Sequence, residues 1–158
     1  MTHPNVAVVN KMWDCLKALV GYGDGTESDS SYAQSLQALH NEVFTPDLTY
    51  YMPGHHPIAG VKHGIDEVLA FFGKMVEKSG LLQDDQSIHA FGEDGAVEVH
   101  RAHGGNGKAY LDIINCFVFQ LRDGKIAEIR VFNNNQQAVD NFFSTIYSFK
   151  PIPERLAD

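Results

Sequence analysis

The sequence predicts an α+β domain in which a curved antiparallel sheet is wrapped by N-terminal helices around an apolar pocket. Three observations carry that prediction. Apolar residues recur at helical spacing up to Lys78. Beyond Gly80 the period changes to that of strands, and glycine-bearing turns divide the remainder. One of these strands, Lys108–Leu121, is long enough to coil strongly, which lets a sheet curl and leave a cavity. Helices first and a meander second is the order expected when helices cover one sheet face. All 158 residues are read as a single domain.

Val6–Val20 places Val9, Met12, Trp13, Leu16 and Val20 on one helical face, opposite Asn10, Lys11, Asp14 and Lys17. Gly21–Ser31 is rich in Gly and Ser and reads as a loop. A second helix, capped near Asp29 or Ser30, carries Leu36, Leu39, His40 and Val43, and Thr45-Pro-Asp47 should end it. Leu48–Met52 is a short strand, Pro53–Pro57 a loop and Gly60–Gly64 a second connector. Ile65–Lys78 is a third helix with Val68, Leu69, Phe72, Met75 and Val76 on its apolar stripe. Strands follow at Ser87–Phe91, Ala96–His103, Lys108–Leu121 and Lys125–Asn133. Gln136–Phe149 reads as a last helix or partial helix, and Pro151 and Pro153 mark an irregular tail.

Composition narrows the partners. A net charge of −8 with scattered Lys and Arg argues against nucleic acid or an anionic membrane as partner. No apolar run approaches the roughly 20 residues that span a bilayer. The N-terminus lacks the basic and apolar regions of a signal peptide, so a cytoplasmic location is expected. Cys15 and Cys116 read either as small buried hydrophobes or as a pair in an oxidising compartment. His55, His56 and His63 invite a metal reading, but adjacent histidines point apart in extended chain and no acid or Cys completes the spacing, so no metal is expected.

Two stretches resemble a known family. Tyr51-Met-Pro-Gly-His-His-Pro-Ile-Ala-Gly through Val68-Leu-Ala-Phe-Phe72 is similar to a segment of SnoaL-like, ketosteroid-isomerase-related proteins of the nuclear transport factor 2 superfamily. Tyr110–Phe132, with its Asp123-Gly-Lys-Ile126 turn, resembles their last two strands. The resemblance implies a cystatin-like roll, a small hydrophobic molecule as partner, no cofactor, and homodimers formed through the outer sheet face, where Val118, Gln120, Glu128, Arg130 and Phe132 fall. It does not fix an activity, because one fold hosts many functions. Where ketosteroid isomerases carry a carboxylate base this chain has Met52, and a thioether abstracts no proton. The oxyanion-donor position holds Asn115 in Leu111-Asp-Ile-Ile-Asn115. Similarity to scytalone dehydratase adds Tyr22 and Asp24 after the first helix, with His89 and His100 on strands.

The candidate catalytic residues are therefore Asn115, His100, Tyr22 and Asp24. Candidate ligand contacts are Trp13, Tyr50, Met52, Phe72, His89, Phe117 and Asn133. His100 suits acid–base work near neutral pH, provided the Gly104–Gly107 turn sets a register that faces it inward. For each polar candidate a structural role competes: a backbone-bonded amide for Asn115, a cross-sheet bond for His100, a turn for Asp24, a strand terminus for Asn133. The aromatic residues equally suit a packed core. The expected activity is isomerisation, cyclisation or dehydration of a hydrophobic cyclic or polyketide-like molecule; the alternative is a non-catalytic binding or scaffolding domain. An epoxide-hydrolase-like centre needs an Arg–Asp pair across strands, and no acid is read beside Arg101 or Arg130.

Overall fold

The computed structural model describes residues 1–148, without the side chain of Tyr22. The order is α1 (Pro4–Gly23), α2 (Asp29–Ala38) with a π-helical turn at Leu39–Val43, β1 (Phe44–Met52), β2 (Gly60–His63), α3 (Ile65–Ser79), β3 (Leu81–Phe91), β4 (Gly95–Gly105), β5 (Tyr110–Arg122), β6 (Lys125–Asn133) and α4 (Gln136–Ile146). One six-stranded sheet runs β2-β1-β6-β5-β4-β3. It is curved and unclosed. It is antiparallel except where β1 lies parallel to β6, which makes the sheet mixed rather than purely antiparallel.

Several boundaries differ from the sequence reading. α1 begins at Pro4, whose missing N–H costs nothing in a first turn, and continues through Gly21 and Gly23. Ser28, rather than Asp29 or Ser30, caps α2 by accepting from the Ser31 N–H at 3.1 Å. Pro46 does not precede the first strand but lies inside it. The β1–β6 register shifts between Phe44 and Thr49, so the ladder bond Pro46 cannot donate is not required. Gly60–His63 is a short strand on β1 rather than a bare connector. β3 starts at Leu81, not Ser87, because an edge strand exposed along most of its length needs no apolar alternation. The last helix ends at Ile146; Phe149 and the tail with Pro151 and Pro153 lie outside the described residues.

The core lies between the concave sheet face and the helices. It joins Val9, Met12 and Leu16 of α1, Val68 and Phe72 of α3 and Phe142 of α4 to the inward residues of β1, β5 and β6. Period-2 alternation along β5 buries Leu111, Ile113, Phe117, Phe119 and Leu121. Cys15 and Cys116 are both free thiols, one buried on α1 and one half-buried on β5. No helix among the described residues is long and apolar enough to cross a membrane.

Candidate functional site

A polar cluster sits inside this apolar core. Glu98 and His100 lie two apart on β4 and so share its inward face, 0% and 1% exposed. β4 pairs with β5 so that His100 stands opposite Asn115, and Asn115 in turn opposite Asn133 on β6. The register that the Gly104–Gly107 turn had to decide therefore faces His100 inward.

Glu98 is the hub. Its Oε1 accepts from His100 Nδ1 at 2.8 Å and from Gln86 Nε2 at 3.0 Å, and its Oε2 accepts from the indole N–H of Trp13. Three donors on one carboxylate offset the cost of taking that charge out of water. With its Nδ1 proton committed to Glu98, His100 turns a bare Nε2 toward Asn115, whose Nδ2 donates at 3.3 Å. That last bond is long, and it is the one a ligand oxygen can most readily replace.

Aromatic rings wall the cluster. His100 lies edge-on to Phe117 with centroids 5.2 Å apart, and Trp13 is 5.9 Å from Phe117 and 6.3 Å from Phe72. Tyr50 packs 5.3 Å from Phe72 and 6.4 Å from Phe117. Burial, and secondly the charge of Glu98, push the Tyr50 phenol well above its ordinary pKa, which keeps it a hydrogen-bond donor. The rings pack against one another, so the inner face is closed by side chains.

The structure thus brings together Trp13, Tyr50, Phe72, His100, Asn115 and Phe117 from five elements. Asn133 borders the group but bonds Gln136 Oε1 at 2.8 Å, while Asn134 accepts from Ile114 N and Asn135 caps α4. His89 is not part of it. It pairs with Val97, faces outward and bonds Ser87 Oγ at 2.7 Å. Asp24 is exposed and accepts from Thr26 N–H and Oγ1, a turn role. The Tyr22 side chain lies outside the described residues. Met52 is half-buried and lines a surface hollow of about 280 Å³ with Pro53, Gly60, Val61 and Phe132. Of the three histidines considered for metal, only His56 is buried. Arg101 does meet an acid: it pairs bidentately with Asp112 of β5, but on the exposed outer face.

Glu98 and Gln86 are the residues the sequence reading missed. The signal was present for Glu98, since alternation along Val97-Glu-Val-His100 puts it on the face of His100. Gln86 carried none, because a backbone irregularity between Asp84 and Ser87, with Asp85 at φ 55°, sets which way it points.

A curved, unclosed sheet wrapped by helices is the fold of nuclear transport factor 2-like proteins. Comparison with known proteins narrows the class: residues 33–129 match the SnoaL-like domain family, and the chain belongs to it. An uncharacterised protein of Mycobacterium tuberculosis, Rv0034, is 25% identical over 117 residues, 73% of this chain and 89% of that protein. Among solved structures, Bal32a from a soil-derived mobile gene cassette superposes with a TM-score of 0.70 at 21% identity, covering 89% of this chain and 96% of that one. A protein of Pseudomonas putida provisionally named a polyketide cyclase gives a TM-score of 0.59 at 16% identity over 89% and 98% of the two chains.

Proposed function

We propose that the chain is a cofactor-free acid–base enzyme acting on a hydrophobic cyclic or polyketide-like molecule, by isomerisation, cyclisation or dehydration. The observation that carries this reading is the fully buried Glu98–His100 pair on the concave face. A buried charged and polar cluster adds little stability over an apolar core of the same volume, which favours a chemical role for this one. His100 Nε2 takes the substrate proton, and Glu98 holds the ring in the required tautomer and stabilises the imidazolium that forms. Asn115 then donates to the oxygen on which charge develops, and Tyr50 supplies a second, un-ionised donor. Met52 has no part in proton transfer, which separates this scheme from that of the ketosteroid isomerases. The provisional cyclase name of the Pseudomonas putida relative is in keeping with the substrate class.

The test is turnover of a panel of polycyclic ketones and alcohols by the wild type, His100→Ala and Asn115→Ala, with folding checked by circular dichroism. Loss of turnover in folded variants is expected, and retained turnover overturns the reading. A second reading, a non-catalytic binding or scaffolding domain, is favoured by the ring-to-ring packing of the inner face. It predicts ligand-induced thermal shifts without conversion.

The same reading includes a homodimer through the outer face. Val99, Cys116 and Phe132 lie side by side across β4, β5 and β6, with Ile114 and Val118 beside them. Phe132 is 54% exposed, a large apolar side chain that a partner's equivalent face would cover.

A further inference from the structure

We infer that the Pro53–Pro57 loop and α4 form a pH-sensitive latch over the Asn115 end of the concave face. The inference rests on the reading that this face is the reaction site, because a site walled by packed rings needs a way in. A continuous chain of bonds runs from the site's border to the loop. Asn133, opposite Asn115, donates to Gln136 Oε1; Gln136 Nε2 donates to Pro53 O at 3.3 Å and to Asp140 Oδ1 at 2.9 Å; and Asp140 Oδ1 accepts the His55 N–H at 3.0 Å. Loop and helix press so closely that a Cβ on Gly54 would stand 2.2 Å from Asp140 Oδ1 and 2.3 Å from Gln136 Nε2. Gly54 also has φ 108°, which only glycine adopts without strain.

His56 makes this closure sensitive to protons. Its ring is 4% exposed and lies 4.9 Å from the ring of Phe143 on α4. Nε2 donates to Pro53 O at 3.1 Å, while Nδ1 is buried with no hydrogen-bond partner among the described residues. A neutral ring tolerates a bare Nδ1. A protonated one places a donor and a charge there with no acceptor, at the full cost of an unsatisfied buried group. Burial is the largest influence and disfavours the charged ring; of the groups around it, Asp140 on α4 and the Pro53 carbonyl favour the charged ring, while Lys62 on β2 and His55 in the loop act in the same direction as burial. His56 therefore titrates below the ordinary histidine value in the closed form. Closure is therefore fully stable above about pH 6.5, where a free histidine is neutral, and weakens as pH falls toward the closed-form value.

Amide hydrogen exchange across a pH series, corrected for intrinsic rates, tests this. The His55 amide, held by Asp140, and the Ala59 amide, held by His56 O, report on the loop, and the amides of α4 report on the helix. Below about pH 6.5 their exchange should accelerate roughly tenfold per pH unit until His56 is protonated in the closed form, while β4 and β5 stay protected. His56→Phe and His56→Gln, which cannot titrate, should flatten the dependence. No acceleration in the wild type, acceleration shared with β4 and β5, or acceleration that persists in both variants overturns the latch. None of these outcomes depends on turnover, so the failure of the catalytic reading, judged on His100→Ala, is separately visible.

Discussion

Glu98→Ala should be among the most damaging single substitutions in this chain, and the structure sets its size. Glu98 is wholly buried and accepts from Trp13, Gln86 and His100. Truncation leaves those donors facing an apolar cavity, at about 1–3 kcal/mol for each one that stays buried and unpaired. Gln86 lies on an edge strand and can turn to water, whereas the Trp13 indole and the His100 ring cannot. Two stranded donors plus the cavity put the cost at about 3–7 kcal/mol, a large part of the about 5–15 kcal/mol that holds a domain folded. Glu98→Gln keeps the volume and one acceptor oxygen, so it should cost only about 1–3 kcal/mol. Urea unfolding followed by fluorescence suits the measurement, since Trp13 is the only tryptophan and itself donates to Glu98. A Glu98→Ala midpoint equal to that of the wild type, at unchanged slope, would refute the account of Glu98 as the hub of a satisfied network.

Phe119, with no exposed surface at the centre of β5, should lose about 3–5 kcal/mol on truncation to Ala, read by the same urea titration. Tyr50→Phe should leave stability near the wild-type value yet lower turnover, because it removes only the un-ionised donor; equal turnover removes Tyr50 from the mechanism. Asp112 is held below the usual carboxylate range by its bidentate bond to Arg101, and Asp47 by its bond to Arg122. Their contribution to stability is present above about pH 3.9 and is lost as pH falls through the lowered folded values. Asp112→Asn should flatten the acid limb of Tm against pH, an effect that shrinks in 1 M salt because the pair is exposed. The proposed homodimer predicts that the wild type sediments as a dimer and Phe132→Lys as a monomer; a monomeric wild type removes the dimer.

What was legible in the sequence tracks how strongly burial constrains each segment. Ile65–Ser79 and Lys125–Asn133 were readable almost to the residue, since their apolar stripes face the core and Gly80 and Gly124 punctuate them. Gln83–Gln86 was not, because an edge strand carries no inward pattern to read. Alternation along β5 gave the face of Asn115, whereas the face of His100 stayed open until the register of β4 against β5 placed the two opposite each other. His89 was a site candidate only by resemblance; its regular pairing with Val97 puts it on the outer face, opposite to that of Glu98 and His100. Asp24 looked catalytic only by resemblance, while its bonds to Thr26 show a local turn that the glycine-rich surroundings already suggested.

The proposed proton transfer depends on which nitrogen of His100 carries the proton. Long-range ¹H–¹⁵N correlation of the imidazole nitrogens in neutral solution reads the tautomer directly. The hydrogen-bond network predicts a protonated Nδ1 held by Glu98 and a bare Nε2 facing Asn115. A ring protonated at Nε2 alone would contradict it, because no lone pair would then face Asn115 to accept a substrate proton.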